Sequence, residues 1–327
     1  MQASVLTICA ALALATPAAA QTTFELINEY PATSITGEAD AFFADPVKRK
    51  TDGRVVIKLL PNAESKLRTH EQLKAVTEGR YAMATSFGGA LGLESPMFLL
   101  SSLPFTAANA AEQRKFYEGS RAQYEELFAE RKQKLLYAVP WPASGIWSAA
   151  PLTNADALKA LKIRTYDKTS TDVMAKVAAS ATLISFNDLN AKLESGDLNA
   201  VLSSGDGGAG RALWKYLRYF SAVSYAAPLS FTSILLEAWS KLDDAGRAAF
   251  EEAARETYER QWTALDTRLA QNYARMRENG VTIDENPPAE VMKALRDASR
   301  EAVLGWFLAS SPTVQQVFKT IQERTKQ

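Results

Sequence analysis

Short blocks of hydrophobic and polar residues follow one another in the first part of the chain after residue 20, and they predict alternating strands and helices. The predicted elements are a strand at 24–27, a helix at 36–49, a strand at 54–60, a helix at 69–78 and a strand at 81–86. In the first helix, Ala39, Phe42, Phe43 and Val47 fall on one face. This alternation of strands and helices predicts an α/β unit with a parallel sheet.

The middle of the chain repeats this plan. The predicted elements are a strand at 162–165, a helix from a Ser170 or Thr171 cap to 179, a strand at 181–185, a helix from an Asn187 cap to Gly196 and a strand at 199–203. Ligands of open parallel sheets bind beyond the carboxyl ends of the strands. Two α/β units with such edges facing each other would form a cleft.

The last third of the chain predicts one long helix, which begins near Asp243 and ends at Asn279-Gly280, a favourable helix C-terminus. Its apolar stripe, with steps of three or four residues, is Phe250, Ala254, Tyr258, Trp262, Leu265, Leu269, Tyr273 and Met276. At about 1.5 Å per residue the helix would be roughly 50 Å long, so it is expected to span both units. The predicted divisions are a first α/β domain at 21–145 to which later segments return, a second at 146–235, and a helical segment at 236–327.

The first 20 residues predict a signal peptide, because they hold a long apolar run, no charged side chain, and the small residues Ala18 to Ala20 at the end. An uncleaved membrane anchor is the alternative, although the run is short for a bilayer span and contains Pro17. Cleavage would place the mature chain in the periplasm as a protein that does not itself span the membrane. It would also remove Cys9, the single cysteine of the chain.

Composition then narrows the function classes. Lys and Arg together number 37, as do Asp and Glu, so no overall basic field favours a nucleic-acid partner. His70 is the single histidine, which disfavours a His-based catalytic triad or a multi-His metal site. No GxSxG motif is present. We therefore expect neither catalytic residues, nor a metal site, nor a cofactor, although a catalytic carboxylate pair remains an alternative.

Four features together resemble the solute-binding proteins of TRAP transporters, the DctP-type family. Residues 51–57 (TDGRVVI) resemble the family's TGGRV segment, and residues 158–165 (LKALKIRT) resemble its DLKGLKIRT signature. Residues 186–196 resemble the segment PFSEVYTALQQG, through Phe186, Leu189, Leu193 and Gly196. The long helix is the fourth feature. The resemblance covers nearly all of the chain after residue 20.

The resemblance implies a two-domain periplasmic binding-protein fold that closes on an organic acid. It further implies delivery of that acid to a two-part TRAP permease in the membrane, driven by a sodium or proton gradient. The family's KIRT arginine, here Arg164, forms the salt bridge to the ligand carboxylate. This chain has Ser203 where the family often has a ligand-binding Asn, and residues 141–147 offer tryptophans where many members carry a second arginine.

These departures favour a small monocarboxylate, such as a hydroxy, keto or aromatic acid, over a C4-dicarboxylate. A small sulfonate or a dicarboxylate is the alternative ligand, a sensor for a membrane receptor is an alternative function, and a secreted enzyme is a weaker one. The Gly205 to Gly210 stretch is either a backbone anion site or a surface loop. The predicted ligand-binding residues are Arg164, Ser203, Phe186, Tyr166, Phe87, Ser204, Trp141, Trp147, Asp206 and Glu29.

Overall fold

The computed structural model describes residues 21–107 and 109–325, which form two lobes, each built on one β-sheet. The segment 1–20, predicted to be a signal peptide, lies outside the described residues. The strands are β1 (Thr22–Asn28), β2 (Val55–Leu60), β3 (Met83–Phe87), β4 (Gln133–Pro140), β5 (Gly145–Ser148), β6 (Lys162–Thr165), β7 (Ser180–Leu183), β8 (Ala200–Ser203), β9 (Tyr219–Ser221), β10 (Leu229–Leu235) and β11 (Thr282–Asp284).

The α-helices cover the faces of these sheets and form the C-terminal part of the chain. They are α1 (Ile35–Lys50), α2 (Thr69–Thr77), α3 (Ala110–Ala129), α4 (Lys168–Lys176), α5 (Leu189–Glu194), α6 (Gly205–Gly210), α7 (Leu236–Ser240), α8 (Asp244–Glu278), α9 (Ala289–Ala309) and α10 (Pro312–Thr325). The fold is therefore the predicted α/β fold with two lobes and a long helix.

The sheet of the first lobe has the strand order β2-β1-β3-β10-β4. As predicted, β1 is parallel to β2 and β3, but β10 is antiparallel to both β3 and β4, so the sheet is mixed. The assignment of β10 to the second domain, 146–235, needs correction. After the second sheet the chain returns to the first lobe, where β10 fills the gap between β3 and β4.

The sheet of the second lobe has the order β11-β9-β5-β8-β6-β7, with β6 parallel to both β7 and β8. Strand β11 lies within the range predicted to be helical and pairs with β9 at the edge of this sheet. The cap of α4 is Asp167, which accepts a 2.7 Å hydrogen bond from the Ser170 backbone N–H, so the predicted Ser170 or Thr171 cap is wrong. Likewise, α5 begins after a 3-10 turn rather than at an Asn187 cap.

Helix α8 joins the lobes, and its limits agree closely with the prediction. It has 35 residues, begins after an Asp243 cap whose side chain accepts from the Gly246 N–H at 2.7 Å, and ends at Asn279. Its first half packs on α1 and β4 of the first lobe, and its second half packs on α6 and β11 of the second. No helix among residues 21–107 and 109–325 is both long and apolar enough to cross a membrane.

A buried carboxyl group ties α1 to the first sheet. Asp40, which is 2% exposed, accepts hydrogen bonds from Asn28 Nδ2 at 2.7 Å, Thr85 Oγ1 at 2.6 Å and Tyr137 Oη at 3.1 Å. Burial raises the pKa of Asp40 to about 7, although the three hydrogen bonds oppose this shift. The folded protein therefore binds a proton here more tightly than the unfolded chain, whose carboxyl titrates near pH 3.8.

This raised pKa predicts a loss of stability as the pH rises. The contribution of Asp40 is complete below about pH 4 and disappears by about pH 7, with an upper bound of about 4 kcal/mol for a shift of roughly three units. We expect Asp40→Asn to reduce the difference in unfolding free energy between pH 5 and pH 8, measured by urea denaturation. The control is Asp45→Asn, an exposed carboxylate on the same helix, which should preserve the wild-type difference. An unchanged difference in Asp40→Asn would contradict this assignment.

Candidate functional site

Arg164 lies in β6, the central strand of a parallel trio, and the adjacent strand segments hold its guanidinium. Its Nε donates to the Ile184 carbonyl beyond β7 at 2.8 Å, and its Nη1 donates to the Leu202 carbonyl of β8 at 3.2 Å. The side chain is 4% exposed. Two backbone carbonyls thus fix the orientation of the guanidinium without neutralising its charge.

Within residues 21–107 and 109–325, the charge of Arg164 has no ion-pair partner. Among the described residues, no carboxylate oxygen lies within 4.0 Å of its nitrogen atoms. Burial lowers the pKa of the Arg164 guanidinium, and the nearby Tyr30 and Glu29 oppose this shift. A buried cation without a counter-ion is unfavourable and attracts an anion that can accept its remaining hydrogen bonds.

A small inner cavity of about 20 Å³ adjoins Arg164. Its lining residues are Tyr30, Phe87, Trp141, Ser144, Arg164, Tyr166, Phe186, Ser203, Ser204, Gly207 and Pro228. The structure therefore brings together seven of the residues predicted from the sequence, namely Phe87, Trp141, Arg164, Tyr166, Phe186, Ser203 and Ser204. The cavity as it stands has room for about one water molecule.

Aromatic rings from both lobes fill the space around this cavity. Tyr30 of the first lobe contacts Phe186 of the second with ring centroids 4.4 Å apart, and it contacts Trp141 at 4.8 Å. On another side, Phe87 meets Tyr166 edge to face at 5.4 Å. The Tyr30–Phe186 and Phe87–Tyr166 contacts cross between the lobes, so the rings must separate before a ligand larger than water occupies the inner cavity.

Two serines at the end of β8 have different roles. Ser204 caps α6, because its hydroxyl accepts from the Gly207 N–H at 3.1 Å. Ser203 Oγ lies so close to Gly207 that a Cβ at that glycine would be 2.5 Å from it. The stretch 205–210 is therefore a short buried helix rather than a surface loop, and its glycines allow its backbone to approach the cavity wall and Trp147.

Glu29 lines a larger outer cleft of about 770 Å³. The residues that this cleft shares with the inner cavity are Tyr30, Phe87, Arg164, Tyr166 and Phe186. Within the first lobe, the Glu29 carboxylate accepts hydrogen bonds from the Thr69 N–H at 2.8 Å and from the Thr69 hydroxyl. From the second lobe it accepts bonds from Ser185 Oγ at 2.5 Å and the Asn187 N–H at 2.7 Å. Glu29 is 1% exposed and acts as a bridge between the lobes.

Asp206 forms a second bridge and does not line either the inner cavity or the outer cleft. One oxygen accepts from the Ile35 N–H at the start of α1 at 3.0 Å. The other accepts from the Arg268 guanidinium and from Asn272 Nδ2 at 3.1 Å, both on α8. Trp147 also lies outside the lining, since it is fully buried and packs edge to face on Phe220 in the second-lobe core.

The list of predicted residues omitted Tyr30, Ser144, Gly207 and Pro228, which also line the inner cavity. Tyr30 was foreseeable, because it lies two residues beyond the carboxyl end of β1, and Tyr166 lies directly beyond that of β6. Ser144 and Pro228 lie where the chain crosses between the lobes, and the Ser144 N–H donates to the Ala226 carbonyl there at 2.8 Å. No sequence motif marks such a crossing.

The arrangement of this chain resembles known proteins over almost its whole length. It is similar to a solved Bordetella pertussis extracytoplasmic solute receptor that binds pyroglutamic acid, with a TM-score of 0.88 and 24% identity over 92% of this chain and 99% of that chain. It is also similar to a TRAP periplasmic solute-binding protein of Chromohalobacter salexigens with bound D-glucuronate. That similarity has a TM-score of 0.84 and 18% identity, and it covers 92% of this chain and 99% of that chain.

Sequence comparison agrees with this similarity of fold. A protein of Chromohalobacter salexigens described as a solute-binding protein is 21% identical over 302 residues, which cover 90% of this chain and 88% of the relative. The model of the family of bacterial extracellular solute-binding proteins, family 7, matches residues 27–307. The chain therefore belongs to the DctP family of TRAP solute-binding proteins.

Proposed function

We propose that this protein binds a small organic monocarboxylate between its lobes, with the carboxylate on Arg164, and delivers it to a TRAP permease. The observation that carries the proposal is the buried Arg164 guanidinium, for which the described part of the chain provides no counter-ion. A carboxylate is planar and accepts two parallel hydrogen bonds, which matches the donors that remain on an arginine held through Nε and Nη1.

The charge of the inner cavity supports one carboxylate rather than two. Among the described residues that line the inner cavity, Arg164 is the one with a charged side chain. A second arginine, Arg211, lies near by with its guanidinium 4.6 Å from the Phe186 ring, but it does not line this cavity. A dicarboxylate would place its second charge among aromatic rings, which is unfavourable without a cation.

The aromatic walls favour a compact acid with a flat or apolar body. Tyr30, Phe87, Trp141, Tyr166 and Phe186 offer ring faces and edges, and the Tyr166 hydroxyl is buried without a hydrogen-bond partner among the described residues. The pyroglutamic acid bound by the Bordetella pertussis receptor has these properties. Pyroglutamate, a five-membered lactam with one carboxylate, is therefore the first ligand to test.

Replacing Arg164 tests the proposed anion site. We expect Arg164→Gln to weaken pyroglutamate binding at least about tenfold in isothermal titration calorimetry, because one charge-assisted interaction contributes roughly 1.5–3 kcal/mol. The neutral amide of the same ligand should bind wild type weakly and should lose little further affinity in the variant. Circular dichroism would establish that the variant folds, and Arg164→Lys, which keeps the charge, should retain part of the affinity.

The control for this experiment is Lys168→Gln, which removes an exposed cation from the outer cleft. We expect it to bind pyroglutamate like wild type. Equal affinity of wild type and Arg164→Gln for the acid that binds best in a panel of carboxylates and sulfonates would contradict the proposed role of Arg164.

Replacing Glu29 tests how the lobes close around the ligand. In Glu29→Gln an amide NH₂ would face N–H and O–H donors, so the bridge to Ser185 and Asn187 would be weakened. We expect about tenfold weaker pyroglutamate binding, together with a larger radius of gyration of the ligand-free protein in small-angle X-ray scattering.

The matched control is the exposed bridge beside it. Arg68 Nε and Nη2 donate to the two oxygens of Asp188 at 2.7 and 3.1 Å, but both side chains are more than a third exposed. Exposed ion pairs contribute little, so Asp188→Asn should change the affinity less than Glu29→Gln does. If Glu29→Gln changed neither affinity nor radius of gyration, Glu29 would not be the closing contact.

A further inference from the structure

A second concave surface lies far along the chain from the cleft residues, where the C-terminal helices meet the segment before α3. This groove has a volume of about 540 Å³. Its lining residues are Pro104, Phe105, Thr106, Arg296, Ser299, Arg300, Val303, Leu304, Phe307, Phe318, Lys319 and Gln322. We call it the α9–α10 groove. It shares no lining residue with the inner cavity or the outer cleft.

The charge of the α9–α10 groove is entirely positive among its described lining residues. Arg296 and Lys319 have no carboxylate partner within 4.0 Å in the described part of the chain, and Arg300 pairs with Asp297 on its own helix at 3.0 Å. The Arg300 pair is highly exposed, so water screens it. Three cations therefore surround one concavity, and none of its described lining residues carries a carboxylate.

The floor of the groove is aromatic. The Arg296 guanidinium lies 4.7 Å from the Phe105 ring centroid, and the Lys319 ammonium lies 5.3 Å from that of Phe307. Phe307 in turn contacts Phe318 at 6.0 Å. Each free cation is thus held over a ring face, which positions the charge beside an apolar surface.

The apolar surface continues beyond the groove along α9. Leu304 is 56% exposed and Leu308 is 69% exposed, and both rank among the few large hydrophobic side chains that the described residues leave so open to water. They are four residues apart and therefore share one helix face. Apolar side chains grouped beside unpaired cations indicate a surface that binds rather than one that is only solvated.

We propose that the α9–α10 groove is a second binding site, for an amphiphilic organic anion: a carboxylate or sulfonate carried on an aromatic or branched apolar body. The volume lies within the roughly 300–1,000 Å³ range of small-molecule sites. The anionic group would lie between Arg296 and Lys319, and the apolar body would lie on Phe307, Phe318 and Leu304.

A pair of dyes with the same aromatic body tests the proposal. The anionic probe is 8-anilinonaphthalene-1-sulfonate, and the neutral probe is N-phenyl-1-naphthylamine. We expect the double variant Arg296→Gln/Lys319→Gln to bind the anionic dye at least tenfold more weakly than wild type in a fluorescence titration. Its affinity for the neutral dye should change less than twofold.

A matched control separates this site from a general loss of positive charge. Lys159→Gln/Lys241→Gln removes two exposed positive charges elsewhere and should bind the anionic dye like wild type. Equal weakening in the control double variant, or unchanged binding in Arg296→Gln/Lys319→Gln, would each overturn the proposal.

Discussion

The burial of one positive charge between two lobes is the constraint on which the site depends. Arg164 gives up water on folding, and in exchange the described residues offer its guanidinium two carbonyl oxygens as hydrogen-bond acceptors. Carbonyl dipoles orient a guanidinium but do not balance its charge, so an uncompensated positive charge lies where the lobes meet. A bound anion would compensate this charge. We therefore expect the affinity of the site to depend first on the charge of the ligand and second on its shape.

Two buried negative charges also lie between the lobes, but these carboxylates have hydrogen-bond donors from both sides. Glu29 and Asp206 each accept backbone N–H groups from the other lobe, Asn187 in one case and Ile35 in the other. These N–H groups lie at the start of helical segments, where four donors lack partners within the helix. Contact between the lobes therefore satisfies N–H donors that would bind water if the lobes were apart. A ligand would then not have to provide all the free energy of closure.

Much of the fold could be predicted because its signals are local. The alternation of strands and helices, the KIRT strand and the apolar stripe of α8 are all read within short windows of sequence. The bridging roles of Asp206 and Glu29 could not be predicted in this way, since their partners in the other lobe, Ile35 and Ser185, lie more than 150 residues away. Trp147 and Trp141 look equivalent in the sequence, but β5 directs the first into the core whereas the chain crossing leaves the second beside Tyr30. The return of β10 to the first sheet was missed for the same reason, because strand pairing is a long-range property.

Helix α8 has a mechanical consequence. Its two halves are packed in different lobes, yet its backbone is continuous over 35 residues. Any change in the angle between the lobes must therefore curve this helix or detach one of its ends, and helices resist curvature beyond a gentle arc. The connection between the lobes is therefore expected to bend elastically rather than to rotate freely, and the force that opposes opening should grow as the cleft widens. We therefore expect α8 to limit how far the lobes can separate.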